Sequence, residues 1–185
     1  MKQNKAEKLL AGVLSISLAM GVSVMPAFAA QVQGPPYEDM SRVYLTKNYE
    51  LANTGTISPE ETFTFTIDPG TVTDASEGID AADYLPNVGS VTYRQGEAGS
   101  ANKTRQIEIQ LPKYDSVGVY TYIIHEVEGN SAGVTYYGDA ILLRVTVIEQ
   151  DGKLRIAAVH TEDPESTGEG KKDDFDNRYS AGKLE

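Results

Sequence analysis

The chain has 185 residues, with 27 acidic against 16 basic side chains, so its formal net charge at pH 7 is -11. This acidic balance argues against binding to nucleic acid, or to an anionic membrane, through a basic patch. Cysteine and tryptophan are absent and there are 2 histidines. The composition therefore excludes disulfides, thiolate metal sites, cysteine nucleophiles and iron–sulfur clusters.

The first 29 residues have the pattern of a removable signal peptide. Lys2, Lys5 and Lys8 precede an apolar run at residues 9–24, and Ala27-Phe28-Ala29 supplies a small-x-small cleavage pattern. The apolar run is shorter than the roughly 20 residues that a membrane-spanning helix needs. We therefore predict cleavage after Ala29 and a secreted, extracellular product with no membrane contact beyond export.

Residues 30–41 are rich in Pro, Gly and polar side chains and are predicted to form a flexible leader. From there nearly every apolar segment alternates with a period of two, which is typical of half-buried strands. Strands are predicted at residues 43–50, 62–67, 88–94, 104–111, 117–127, 134–137, 140–149, 153–160 and 174–179. Turn signals separate them at Ser58-Pro59, Asp68-Pro69-Gly70, Gly129-Asn130 and Asp151-Gly152, the last of which suits a tight hairpin.

Two segments lack strand patterning. Residues 71–87 are acidic and are predicted to form a long loop with a helical turn at residues 79–84, and residues 161–172 are predicted to form a polar loop. About nine short strands without a helical stripe predict an all-β protein, an immunoglobulin-like antiparallel β-sandwich over residues 42–180. Residues 181–185 are expected to begin a linker or to mark a truncated end.

Three polar side chains fall on predicted apolar strand faces. Lys47 alternates in phase with Leu45 and Tyr49 on the first strand, Glu126 follows Tyr120, Tyr122 and Ile124 in phase, and Asn177 lies between Phe175 and Tyr179. Each has an ordinary interpretation on its own: a lysine can reach solvent, a glutamate can lie at the rim, and an asparagine can cap a turn. Together, buried polar groups are costly unless they satisfy one another.

The same three residue types form a set of reactive groups. Burial pushes the pKa of a lysine down and that of a carboxyl group up, so a neutral amine can attack while a neutral acid hydrogen-bonds to an amide oxygen. At contact distance, Lys47 would attack the side-chain carbonyl of Asn177 while Glu126 shuttles protons, and ammonia would leave. We therefore predict an intramolecular isopeptide bond, formed once during folding and without turnover catalysis.

An ordered set of motifs resembles the isopeptide-linkage domain of backbone pilins, the subunits of sortase-assembled pili in Gram-positive bacteria. The matching residues are Leu45-Thr46-Lys47-Asn48-Tyr49, Ser58-Pro59-Glu60-Glu61-Thr62-Phe63-Thr64-Phe65, Leu111-Pro112-Lys113-Tyr114, Val117-Gly118-Val119-Tyr120-Thr121-Tyr122, Glu126-Val127, Gly133-Val134-Thr135-Tyr136, Asp151-Gly152-Lys153 and Phe175-Asp176-Asn177-Arg178-Tyr179. The resemblance implies that Lys47 bonds to Asn177 with Glu126 as the catalytic residue, and that the protein is a structural subunit or stalk domain of a cell-wall pilus.

The resemblance also implies partners. A sortase would join the carboxyl end of one pilin subunit to a lysine of the next. The candidate acceptors are Lys171 and Lys172, just ahead of the last strand, and the equal alternative is that they are a solvated pair in an acidic loop.

Another interpretation of the protein is an adhesin module that presents host-binding loops at residues 71–87 and 97–103, and a weaker one is a secreted hydrolase. We expect neither a cofactor nor a metal ion.

Overall fold

A computed structural model describes residues 40–165 and 170–181. The predicted signal peptide, most of the predicted leader and residues 182–185 lie outside the described residues. Within the described part there are eleven strands: β1 Arg42–Leu51, β2 Glu61–Phe63, β3 Phe65–Thr73, β4 Asn87–Val88, β5 Val91–Tyr93, β6 Thr104–Gln110, β7 Gly118–Glu126, β8 Val134–Thr135, β9 Ala140–Gln150, β10 Lys153–Glu162 and β11 Asp174–Tyr179. A short 3-10 helix, Ala81–Tyr84, lies where a helical turn was predicted.

Two sheets form the sandwich. One contains five strands in the order β4-β6-β1-β11-β8, and the other contains four in the order β10-β9-β7-β3. Apolar side chains of both sheets meet in one core, with Leu45 and Ile107 from the first sheet and Ile124, Leu143 and Val145 from the second. A third, two-stranded sheet of β2 and β5 adds Phe63 and Tyr93 to that core. The predicted all-β sandwich is confirmed.

The prediction of antiparallel pairing is wrong for the first and last strands. β1 and β11 are neighbours and run parallel, with Lys47 opposite Phe175 and Tyr49 opposite Asn177. The alternation of apolar residues defines which face of a strand is buried, but it is the same for parallel and antiparallel neighbours. Strand direction therefore had to come from the structure.

Two predicted strands are each split in two. Residues 62–67 divide at Thr64, because β2 pairs with β5 whereas β3 pairs with β7. Residues 88–94 divide in the same way between β4, which pairs with β6, and β5. In both places the chain crosses from one sheet to another, which a continuous apolar alternation does not reveal. The count is therefore eleven described strands rather than about nine.

The predicted turn at Asp68-Pro69-Gly70 is wrong, because these residues lie within β3. β3 is an edge strand with a bulge between Pro69 and Val72, and an edge tolerates the missing N–H of proline. At the bulge, Thr121 Oγ1 accepts from the Thr71 N–H at 2.7 Å. A Cβ on Gly70 would lie 2.5 Å from that same Oγ1, so glycine permits the close approach. The predicted loop at residues 71–87 consequently begins after Thr73.

The tight hairpin predicted at Asp151-Gly152 joins β9 to β10. Gln150 pairs with Lys153, and both turn residues adopt positive φ, 54° at Asp151 and 71° at Gly152. These angles belong to a type I′ turn, whose twist matches that of the flanking strands. No helix within residues 40–165 and 170–181 is long and apolar enough to cross a membrane.

Candidate functional site

The parallel pairing of β1 with β11 brings two of the predicted site residues side by side. Lys47 and Asn177 project from adjacent strands into the core, where they are 0% and 1% exposed. Lys47 Nζ donates a short hydrogen bond to Asn177 Oδ1 and a longer one, at 3.3 Å, to the main-chain carbonyl of Phe175. The amine of the first strand therefore touches the carboxamide of the last.

The third predicted residue reaches the same point from the opposite sheet. Glu126, at the end of β7, accepts from Lys47 Nζ through Oε2 at 2.8 Å, and both side chains are fully buried. Its other oxygen, Oε1, accepts from Asn177 Nδ2 and from the main-chain N–H of Tyr137 at 3.3 Å. We refer to Lys47, Glu126 and Asn177 as the triad.

Aromatic rings enclose the triad. Lys47 Nζ lies 4.3 Å from the centre of the Phe63 ring. Phe175 packs against Phe65 and Tyr137, with ring centres 5.0 and 5.2 Å away, and so closes the side next to β11. Excluding water from charged groups strengthens their interactions and penalises their ionised forms.

This environment changes the protonation of Lys47. Burial lowers its pKa from 10.5 to about 8, although the negative charge of Glu126 and the hydrogen bond to it act in the opposite direction. Desolvation therefore outweighs the ion pair, and more of the amine is neutral near pH 7 than in an exposed lysine. A neutral amine is the form that can act as a nucleophile.

The geometry assigns a separate task to each carboxyl oxygen of Glu126. Oε2 can take a proton from Lys47 Nζ, and Oε1 can return a proton to Asn177 Nδ2. In such a reaction Nζ bonds to Cγ of Asn177, the Cγ–Nδ2 bond breaks, and one Nζ proton passes to Nδ2. Ammonia then leaves and a neutral amide joins the two side chains, so atoms and charges balance.

The position of Glu126 differs in one respect from the sequence-based expectation. The acid was expected to hydrogen-bond to the amide oxygen of Asn177, but it contacts the amide nitrogen, and Lys47 contacts the oxygen. Sequence reasoning also missed Phe63 and Tyr137, which complete the site. Phe63 alternates in phase with Glu61 and Phe65, so the pattern marked it as buried but not as a neighbour of Lys47.

The two candidate acceptor lysines lie beside the start of β11 in different environments. Lys171 has a side chain that is 76% exposed and pairs with Asp173 at 2.5 Å. Lys172 is 28% exposed, pairs with Asp174 at 3.4 Å, and has its Nζ 5.1 Å from the centre of the Tyr137 ring. Of the two lysines, Lys171 is therefore the more exposed to solvent.

The loop at residues 97–103, one of the candidate ligand-binding loops, is tied to the sandwich. The Gly99 N–H donates to the Tyr49 carbonyl at 2.8 Å, and Ser100 Oγ donates to the Glu97 carbonyl at 2.7 Å. Glu97 also pairs with Arg105 at 2.6 Å.

In the described part of the chain, no group of three or more His, Cys, Asp or Glu side chains is arranged to hold a metal ion.

Comparison with known proteins places the chain in a family. The model of the FctA family, described as the Spy0128-like isopeptide containing domain, matches residues 43–180. A curated protein named Pilin, from Streptococcus pyogenes serotype M1, is 26% identical over 147 residues, which is 77% of this chain and 43% of that protein. The chain thus spans less than half the length of that curated relative.

Solved structures agree with the fold. The major pilin from Streptococcus pyogenes matches with a TM-score of 0.58 and 24% identity, over 75% of this chain and 50% of that chain. The T3.2 major pilin of the same species matches with a TM-score of 0.62 and 18% identity, over 77% and 54%. The resemblance predicted from the sequence is confirmed, and the chain belongs to the Spy0128-like isopeptide containing domain family.

Proposed function

We propose that this domain is a structural subunit of a pilus on the surface of a Gram-positive bacterium, made rigid by a self-catalysed bond between Lys47 and Asn177. The observation that carries the proposal is the contact of three buried polar side chains, one from the first strand, one from the last and one from the facing sheet. The similarity to a protein named Pilin supports the same role. The chemistry happens once for each molecule, so the domain is not a turnover enzyme.

The parallel arrangement of β1 and β11 explains what the bond would do under load. Tension that enters at Arg42 and leaves after Tyr179 pulls these neighbouring strands past each other in opposite directions. With the bond in place, force passes from Lys47 to Asn177 through covalent links. The sheet hydrogen bonds of the 130-residue stretch between them then carry none of it.

The decisive experiment combines intact mass with single-molecule extension of the full chain. The wild-type chain should weigh one ammonia less than its sequence, and should resist extension within residues 47–177. Asn177→Ala should have its full sequence mass and should release about 450 Å on unfolding, because 130 residues separate the linked positions.

A matched control removes a second asparagine from the same strand pair. Asn48, on β1, hydrogen-bonds to Asp176 on the other face of the sheet, at 2.8 Å. Asn48→Ala should keep both the mass deficit and the resistance to extension. A wild-type chain that extends as far as Asn177→Ala would contradict the proposal.

We also propose that a sortase uses Lys171 to join neighbouring subunits, with Lys172 as the less suitable alternative. Lys171 is the more exposed, whereas Lys172 is partly covered by Tyr137. The pKa of Lys172 is raised: partial burial acts to lower it, but the contacts with Tyr137 and Asp174 outweigh burial and keep the amine charged. In the pilus-bearing host, Lys171→Arg should abolish covalent polymer ladders and Lys172→Arg should not. Ladders that survive Lys171→Arg would point to another lysine.

A further inference from the structure

Tyr93 connects the two-stranded sheet to the main chain of the reacting lysine. It lies at the end of β5 and is fully buried. Its hydroxyl donates to the main-chain carbonyl of Lys47 at 2.8 Å and lies 2.9 Å from that of Lys103. Lys103 directly precedes β6, the neighbour of β1, so the hydroxyl lies where these two strands and β5 meet.

The ring of Tyr93 also supports the groups around the lysine side chain. Its centre is 5.8 Å from that of Phe63 and 5.3 Å from that of Tyr49. Phe63 in turn lies under Lys47 Nζ at 4.3 Å. Tyr93 therefore touches the peptide group from which the lysine side chain starts and the ring on which its amine rests.

The position of Tyr93 is itself fixed from outside. The guanidinium of Arg105 lies 4.8 Å from the centre of the Tyr93 ring and pairs with Glu97 at 2.6 Å. Burial raises the pKa of the Tyr93 phenol above its ordinary value, so the hydroxyl is protonated and can donate a hydrogen bond at neutral pH.

We propose that Tyr93 is a positioning residue for the bond between Lys47 and Asn177. It fixes the main chain of Lys47 at the position from which Nζ reaches the carboxamide of Asn177. This inference rests on the proposed isopeptide chemistry. A lysine side chain has four rotatable bonds, so a small shift at its origin is carried to the amine. Misplacing a reacting atom by about 1 Å can slow a reaction by roughly 100-fold.

Tyr93→Phe tests the proposal because it removes only the hydroxyl. The full chain is made in a cell-free system, stopped in denaturant before it folds, and then diluted into folding buffer. Intact mass followed over time gives the rate of ammonia loss, and near-ultraviolet circular dichroism gives the rate of folding. Ammonia loss in Tyr93→Phe should be about tenfold slower than in the wild type, while folding is little changed.

Tyr120→Phe is the matched control. Tyr120 is also fully buried, and its hydroxyl also donates to a main-chain carbonyl, that of Ser116, at 2.9 Å. Because Ser116 lies outside the triad, ammonia loss in Tyr120→Phe should proceed at the wild-type rate. Equal slowing in the two variants would mean that any lost buried hydrogen bond has the same effect, and would overturn the assignment.

The pH profile separates positioning from a change in lysine protonation. Because the Tyr93 hydroxyl contacts a main-chain carbonyl, Tyr93→Phe should lower the plateau rate without moving the pH at which the rate is half-maximal. A shifted midpoint would overturn the proposal. If Tyr93→Phe does not fold, Arg105→Gln loosens the same ring from its outer face and should slow ammonia loss about twofold.

The outcomes distinguish the two proposals. If the wild type loses ammonia and Tyr93→Phe does so at the same rate, only the positioning role fails. If the wild type never loses ammonia, the isopeptide chemistry fails and the positioning role fails with it.

Discussion

The core of the sandwich holds polar atoms in two regions, which differ in how these buried atoms are stabilised. One is the triad. The other is a tyrosine cluster of Tyr84, Tyr114, Tyr120 and Tyr122. The rings of the first three contact one another with centres 4.5 to 5.7 Å apart, and Tyr122 joins them through its hydroxyl. In the cluster the Tyr122 hydroxyl donates to that of Tyr114 at 3.3 Å, and Tyr84 donates to Asp115. These phenols are satisfied by their partners.

The difference lies in charge. Burial raises the pKa of Tyr114 to about 12, so this phenol stays neutral and unreactive, and its hydrogen bonds are sufficient for burial. Lys47 and Glu126 form an ion pair, and removing two charges from water is expensive even when they are paired. The proposed reaction with Asn177 would convert the lysine into a neutral amide. One core would therefore accommodate polar atoms in two ways, by hydrogen-bonding them to partners or by removing their charge in a reaction.

Removing the acid of the triad should have the largest effect. Glu126→Ala should prevent the bond, which is worth about 5 kcal/mol for a loop of 130 residues. It should also leave a buried amine without its charge partner, at a further cost of roughly 3–5 kcal/mol. A total of roughly 8–10 kcal/mol approaches the whole stability of a typical domain. Urea unfolding measures the loss, and intact mass should show no loss of ammonia.

A second variant tests whether the uncompensated charge explains part of that loss. Adding Lys47→Met to Glu126→Ala removes the amine as well, so the double variant should be more stable than Glu126→Ala alone although neither forms the bond. An ammonia deficit in Glu126→Ala would remove this residue from its catalytic role. If the double variant is no more stable than Glu126→Ala, the uncompensated charge of Lys47 does not explain the loss. The triad and the tyrosine cluster would then differ less than their charges indicate.

The two regions should also respond to pH with opposite signs. Burial lowers the pKa of the unreacted Lys47 to about 8, against 10.5 for an exposed lysine, and Asn177→Ala keeps this lysine unreacted. The unfolded state therefore holds more protons between these values, and stability should rise with pH by about 3 kcal/mol across the window. The tyrosines act in reverse, because their folded pKa values lie above the ordinary value of 10.0. Their contribution is lost as pH rises above 10.

Urea unfolding of Asn177→Ala at pH values from below 8 to above 10 measures this profile. Stability should increase up to about pH 10 and then decline. In Lys47→Met combined with Asn177→Ala the rise should disappear while the decline remains. A rise that persists without the lysine amine would contradict the assignment to Lys47.

The sequence predicted the convergence of Lys47, Glu126 and Asn177 better than it predicted the pairing of the strands around them. Period two is a rigid property of a strand, so the burial of Lys47, Glu126 and Asn177 could be deduced from their neighbours alone. Which strands lie side by side is set by the packing of the whole sheet. The local alternation of apolar residues does not predict that β1 and β11 are parallel neighbours. It also does not predict that the chain crosses between sheets at Thr64.

Other features were missed for equally specific reasons. Asp68-Pro69-Gly70 has the composition of a turn, and only its place on an edge strand opposite Thr121 makes it part of β3. Tyr93 falls within the predicted strand at residues 88–94, but the sequence did not single it out, because its hydroxyl partner is a main-chain carbonyl 46 positions away. Main-chain acceptors have no residue type, so sequence reasoning has no signal with which to find them.

The smallest effect is expected in the tyrosine cluster. Tyr122→Phe removes one hydrogen bond between neutral groups and should cost about 1 kcal/mol. Urea unfolding should be compared in the Asn177→Ala background, so that the cross-link does not mask a small change. In the otherwise wild-type chain the ammonia deficit should be complete, because the Tyr122 hydroxyl donates to Tyr114, which lies outside the triad. If Tyr122→Phe did not lose ammonia, the tyrosine cluster would have to support the reacting strands. The division of the core into a hydrogen-bonded region and a reacting region would then fail.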